Sequence, residues 1–259
     1  MNNIINVRGR LMDLSKPQVM GILNVTPDSF YADSRQQTEE SIVSKARQML
    51  SEGASIIDVG ACSTRPGGEL ASEDEECSRL RRALGVLRRE VPEAIISVDT
   101  FRPDVARLAV EEYGADIIND VRGEKEMFRM TSRLRVPYIL MSEKPTMRDI
   151  LLDMADKTQQ LRDLGQKDII LDPGFGFGKT LEQNYEVLSH LELLHTLELP
   201  ILVGISRKSM IYKLLNTTPA EALNGTTVLN TIALQKGATI LRVHDVRAAA
   251  ECIALTQKV

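Results

Sequence analysis

The chain has 259 residues, 32 Lys and Arg against 36 Asp and Glu, three His, three Cys and no Trp, for a formal net charge of −4. That balance argues against a general nucleic-acid or membrane surface, because binding to phosphate backbones requires an excess of clustered cations. No stretch approaches the roughly 18 to 20 apolar residues of a membrane span, and the N-terminus meets Arg8 before any apolar run has accumulated, unlike a secretory signal.

Taken in chain order, INVRGRLMDL predicts a small hairpin ahead of the main fold, covering one end of it. Short, β-branched apolar runs then recur, each ending in a polar residue: 18–24, 55–60, 95–99, 116–120, 137–141, 168–172, 201–206 and 239–244. Their nearly continuous apolar character is that of strands buried on both faces. Helix-like stretches separate them at 38–52, 72–90, 103–113, 125–134, 149–164, 180–195, 207–216 with 219–236, and 245–257. Strand followed by helix, repeated eight times at about 32 residues per unit, predicts an α/β fold: a closed (β/α)8 TIM barrel forming one domain over 1–259. An open doubly wound sheet is the alternative, but it usually has fewer strands. Cys62, Cys77 and Cys252 are odd in number and lack metal-ligand spacing, which predicts free thiols in a reducing cytoplasm.

Active sites of such barrels form at the C-terminal ends of the strands. The residues placed there are Asn24, then Ser63, Thr64 and Arg65, then Asp99, Asn119, Met141 and Asp172, then Ser206 to Ser209, and finally Arg242 and His244. A barrel without a site has no reason to gather carboxylates, carboxamides, cations and a histidine on one rim. Singly, Asp99 or Asn119 also reads as a helix N-cap. The loops after the first two strands are long and rich in turn formers, as lids and binding loops are. Phe30, Phe101, Phe175 and Phe177 lie just beyond strand ends, and Phe30 and Phe177 suit the wall of a pocket for a flat ligand.

DPGFGFGKT (172–180) lacks the glycine spacing of a phosphate-binding P-loop, so its glycines read as a tight turn beside Asp172. GISRKSM (204–210) places Ser206 to Ser209 at a helix start, a place for an anion or simply a cap. Arg242 and His244 alternate out of one strand, share its side, and suit a phosphate clasp. His190 and His195, five apart, cannot share a helix face and are not read as metal ligands. The cluster Arg79, Arg81, Arg82, Arg88 and Arg89 is interleaved with acids and reads as a solvated helix face.

In order and spacing, MGILNVTPDSF (20–30), IIDVGACSTRPGG (56–68), SVDTFRP (97–103), IINDV (117–121), LDPGFGFGKT (171–180), GISRKS (204–209) and RVHDV (242–246) closely resemble the dihydropteroate synthase family of folate biosynthesis. The resemblance implies a TIM barrel that joins 6-hydroxymethyl-7,8-dihydropterin diphosphate to p-aminobenzoate and releases pyrophosphate. It implies a pterin site of Asp99, Asn119, Met141, Asp172, Phe177 and Lys208, in which a buried carboxylate accepts the paired N–H donors of the pterin edge. It implies diphosphate binding by Asn24, Thr64, Arg242 and His244, with Mg2+ held partly by Asn24. p-Aminobenzoate is assigned to Phe30, Thr64, Pro66, Phe177 and Ser209, and the catalytic roles to Asp99, Arg65 and Lys208. A homodimer is a further expectation from the family.

The sequence departs from the family pattern at three places: Ser142 stands where a His is usual, Ala61-Cys62 where Gly-Glu is usual, and Ala32-Asp33-Ser34 where Asp-Gly-Gly is usual. The last change removes glycines that act as hinges. Two other readings use the same pterin groups: a methyltetrahydrofolate-demethylating barrel, and a barrel that binds pterin without turnover. Neither needs STRPG, SRKS and RVHD together.

Overall fold

The computed structural model describes residues 3–26, 35–62 and 70–259. At the N-terminus Ile4–Val7 (β1) pairs antiparallel with Arg10–Asp13 (β2). Arg8 and Gly9, at φ 53° and 73°, make the two-residue turn, whose positive φ values match the twist of a tight hairpin.

The barrel follows as strand and helix in alternation, with two helices between its last two strands. Its strands are Gln18–Asn24 (β3), Ile56–Gly60 (β4), Ile95–Asp99 (β5), Ile117–Asp120 (β6), Tyr138–Met141 (β7), Ile169–Asp172 (β8), Leu202–Val203 (β9) and Ile240–Val243 (β10). The helices are Arg35–Ser51 (α1), Glu73–Glu90 (α2), Pro103–Glu111 (α3), Lys125–Leu134 (α4), Met147–Asp163 (α5), Leu181–Ser189 (α6), Ser209–Tyr212 (α7), Leu223–Gln235 (α8) and Val246–Thr256 (α9). The sheet runs β8-β7-β6-β5-β4-β3-β10-β9. A parallel bridge between Leu171 and Ile201, with Leu171 N–H donating to Pro200 O at 2.8 Å, joins β8 to β9 and closes the ring.

Strand parity sorts the side chains. Residues such as Ile57, Val59, Ile96 and Val98 face outward into the main core against the helices. Inward, Met20, Ile56, Ile117, Ile139, Ile170, Leu202 and Ile240 form an apolar layer, and Ile5, Val7 and Leu14 of the hairpin segment plug it from below. Two residues further along, β4, β5, β6, β8 and β10 present Asp58, Ser97, Asn119, Asp172 and Arg242 inward, so the hairpin end is a sealed floor and the opposite end carries the chemistry.

Arg8 ties the hairpin to that floor. Its guanidinium donates to Asp116 at 2.5 and 2.9 Å and to Pro92 O and Ala94 O. Arg88 of α2 meets the same carboxylate at 2.9 Å and also donates to Tyr113 O and Ala94 O. This corrects the reading of the α2 arginines as a uniformly solvated face. Arg81 and Arg89 are about half exposed, whereas Arg88 is mostly buried and Arg79 donates to Ala61 O.

Three element boundaries also differ from expectation. The helix expected over 180–195 ends at Ser189, where Ser189 and the His190 ring bond to Glu186 O and the chain tightens into a 3-10 turn over Leu191–Leu197. The seventh barrel strand is regular only over Leu202–Val203. The helix expected over 207–216 is the single turn α7.

Candidate active site

Above the apolar layer, inward parity turns Asp58, Ser97, Asn119, Met141, Asp172, Gly204 and Arg242 into the barrel, with Asn24, Gly60 and Asp99 next along β3, β4 and β5 towards the mouth. Arg242 is turned into the barrel. Its Nη2 donates to Asp99 Oδ2 at 2.6 Å and its Nε to Asp58 Oδ2 at 2.7 Å. Asn119 donates from Nδ2 to the same Asp58 oxygen at 3.1 Å. Neither Asp99 nor Asn119 caps a helix: the N-caps of the helices that follow are Arg102 and Glu124.

Burial dominates the electrostatics. It pushes the Asp99 carboxyl up to about 7, with Arg242 opposing the rise and Asp58 adding to it. It also raises Asp172, against the pull of Lys208. Lys208 is held down at about 8, chiefly by burial, with Asp172 acting to restore it. Two carboxylates above their ordinary range and a lysine below it, at one cleft, mark a functional site.

The turn after β8 shapes one wall. Asp172 Oδ1 accepts from Gly174 N–H at 2.8 Å. Gly174 sits at φ 69°, where an added Cβ would collide with the Ser142 carbonyl oxygen, so the turn requires glycine. Phe175 is buried, while Phe177 is half-buried with Lys208 Nζ 4.6 Å from its ring centroid. Lys208 also donates to Phe175 O. Lys179, the lysine of the P-loop look-alike, donates to Ser142 O, Gly174 O and Phe177 O and so ties this turn to the segment after β7. Met141 packs against Gly174. Ser142, where the family has His, donates to Asp153 at 2.6 Å, and Lys157 meets the same carboxylate.

The segment after β9 corrects one expectation. Arg207 N–H donates to Thr226 Oγ1 and Lys208 N–H to Ile205 O, so these are not free anion donors, and α7 is too short for a strong dipole. Ser206 Oγ lies 3.1 Å from His244 Nδ1, and the Arg207–Asp245 pair at 2.7 Å braces the segment, with Ser209 half-buried at its end. His244 is exposed at the rim, whereas Arg242 points inside. Phe30, Thr64, Arg65 and Pro66 lie outside the described residues.

The structure thus brings together Asn24, Asp99, Asn119, Met141, Asp172, Phe177, Lys208 and Arg242. Sequence reasoning missed Asp58 and Lys179. The signal for Asp58 was present in IIDVG: an acid at an inward position of an otherwise apolar strand.

A polar, charge-rich mouth on the C-terminal rim of a sealed TIM barrel defines a small-molecule enzyme. The family of pterin binding enzymes matches residues 20–244. Dihydropteroate synthase of Clostridium beijerinckii is 42% identical over 240 residues, covering 88% of each chain. The Yersinia pestis dihydropteroate synthase in a sulfonamide drug complex superposes with a TM-score of 0.89 at 38% identity, covering 98% of both chains. The Xanthomonas albilineans enzyme with 4-aminobenzoic acid gives 0.91 at 35% identity, covering 100% of this chain and 98% of that one. The chain therefore belongs to the dihydropteroate synthase family.

Proposed function

We propose that the protein is the transferase that joins 6-hydroxymethyl-7,8-dihydropterin diphosphate to p-aminobenzoate, giving 7,8-dihydropteroate and pyrophosphate. The observation that carries this reading is the convergence of Asp99, Asn119, Asp172, Lys208 and Arg242 at one barrel mouth. A pterin edge offers adjacent N–H donors and ring acceptors. Asp172 accepts the paired donors through the oxygen capacity left beside its bond to Gly174. Asn119 gives its amide N–H to Asp58, which leaves its carbonyl oxygen to accept from the ligand. Lys208 donates to the opposite edge, and the Phe177 ring beneath its ammonium flanks the flat heterocycle.

In the reaction the bond between the pterin methylene carbon and the diphosphate oxygen breaks, its electron pair leaving with pyrophosphate. Asp99, as carboxylate, stabilises the resulting pterin cation. The aniline nitrogen of p-aminobenzoate then attacks the methylene carbon and loses a proton. Arg242 and His244 bind the leaving diphosphate, with Thr64, while Phe30, Thr64, Pro66, Phe177 and Ser209 hold p-aminobenzoate and Arg65 closes over the reacting groups.

The reading includes Mg2+. Asn24 Oδ1 and Asp99 Oδ2 lie 3.3 and 3.9 Å from where a Cβ on Gly60 would stand, so hard oxygen donors border ground that carries no side chain. A cation that keeps its waters and shares phosphate oxygens suits Asn24 as its protein ligand. When bound it would offset charge on the leaving group.

Exposed Leu214, Leu215, Leu223, Val228 and Leu255 near the C-terminal helices support a homodimer, checked by light scattering. No helix among the described residues is long and apolar enough to cross a membrane, and a cytoplasmic location accords with the free thiols of Cys62, Cys77 and Cys252. The decisive test of function is pyrophosphate release that depends on both the pterin diphosphate and p-aminobenzoate. Pyrophosphate release that p-aminobenzoate neither accelerates nor converts into 7,8-dihydropteroate, or no release at all, overturns the reading.

A further inference from the structure

The reaction leaves one acid of the barrel interior without a role. Asp58 lies in the middle of β4, fully buried, and a single oxygen, Oδ2, accepts from both Arg242 Nε and Asn119 Nδ2. Among the described residues its other oxygen has no partner, and neither has the hydroxyl of Ser97, its register neighbour on β5. A buried ion pair adds little net stability over well-packed apolar side chains, and an apolar residue here would simply extend the Met20 and Ile56 layer below. What Asp58 contributes is geometry.

Arg242 is shared by two carboxylates, and they differ in standing. Asp99 is at the mouth and is needed by the substrate, whereas Asp58 lies one step deeper with only protein donors on its bonded oxygen. Burial works against the Arg242 charge, yet its pKa stays above the ordinary value, and Asp58 contributes more to that than Asp99.

We propose that Asp58 is a positioning residue for the pterin site, anchoring Arg242 and Asn119 through one oxygen so that Asp99 can release Arg242 and engage the substrate without the guanidinium swinging away. This inference rests on the dihydropteroate-forming reading above. With Asp58 in place, Arg242 keeps its pivot at Nε while Nη2 changes partner. Without it, Arg242 collapses onto Asp99, and Asn119 loses the bond that aims its carbonyl oxygen at the ligand.

The test compares Asp58→Asn, which keeps an oxygen to accept both bonds, with Asp58→Leu, which keeps the volume and accepts none. Circular dichroism checks folding, and if Asp58→Leu does not fold, Asp58→Ala takes its place. Each is made in the wild-type and Arg242→Ala backgrounds, and the readouts are kcat/KM for the pterin diphosphate and calorimetric affinity for 6-hydroxymethylpterin. We expect Asp58→Leu to lower both at least about tenfold, with Asp58→Asn recovering to within about threefold of wild type. In the Arg242→Ala background the Leu substitution should cost markedly less, because residues acting through one another are not additive. Losses equal in both backgrounds, equal losses for Asn and Leu, or no loss for Leu would each overturn the proposal. A wild-type protein that forms no dihydropteroate would overturn instead the reading on which it rests.

Discussion

Arg242 and Asp99, 143 positions apart in the chain, meet at 2.6 Å in the mouth of the barrel. The contact brings a buried cation against the carboxylate assigned to stabilise the reacting cation. Arg242 there opposes the rise of the Asp99 pKa, but burial is the larger effect and sets the pH behaviour of the site.

Burial pushes Asp99 up to about 7 and holds Lys208 down at about 8, and the reaction uses the carboxylate and the ammonium. kcat/KM for the pterin diphosphate should therefore fall as pH drops through about 7 and as it rises through about 8, a narrow bell. Lys208→Arg, which stays charged, should remove the alkaline limb even at reduced activity. Stability should run differently. Between 3.8 and about 7 folded Asp99 holds a proton that the unfolded chain has lost, so its contribution declines as pH rises across that window. Between about 8 and 10.5 the unfolded chain holds the Lys208 proton that the folded state has lost, so that contribution grows with pH. Initial rates and urea unfolding across the same pH series check both.

Asp172→Asn should keep the fold, because a carboxamide oxygen can still accept from Gly174 N–H. It should weaken pterin binding by roughly ten- to a hundredfold for each charge-assisted bond lost. Calorimetric titration with 6-hydroxymethylpterin measures this, and unchanged affinity would remove Asp172 from the site.

Arg65→Ala separates turnover from ligand storage. The expected result is a melting temperature consistent with a change of no more than about 0.5 kcal/mol, near-normal pterin-diphosphate affinity, and a severe fall in kcat, since a group engaged only in the closed, reacting complex acts on the barrier alone. Melting, binary affinity and kcat on one variant decide it. Wild-type kcat would take Arg65 out of the catalytic set.

On the floor, Asp116→Ala strands both Arg8 and Arg88. Because the two arginine side chains are 37% and 20% exposed and keep carbonyl partners, water offsets part of the loss. A destabilisation of about 1–3 kcal/mol is expected. With the site at the other end of the barrel, kcat below the melting range should be unchanged. Denaturant unfolding paired with the pyrophosphate assay tests both halves.

The barrel was legible in the sequence because eight apolar strands and eight helical stretches impose their own periodicities, and those are local. Rim residues such as Asp99, Asn119, Asp172 and Lys208 were legible for the same reason: a strand end is a local event, and in a TIM barrel all strand ends meet. The limits lay where local propensity yields to neighbours. α6 gives way to a 3-10 turn at His190, and α7 starts late and stops early: Arg207 N–H is taken by Thr226 Oγ1, and Asn216, at φ 51°, ends the segment with Thr217 N–H turned back to Tyr212 O.

What the sequence determined by itself was the order of elements, the identity of the rim residues and the family to which their motifs belong. Only the tertiary structure decided which of those groups touch. Asp58 reads as one acid in IIDVG until the sheet sets β10 on the far side of β3 from β4, so that Arg242 reaches across the interior to it from 184 positions away. Lys179 likewise carries no role in the sequence until its ammonium is placed against three carbonyls of the site's own wall. Side-chain partners within a barrel depend on strand stagger and closure, which no single strand encodes.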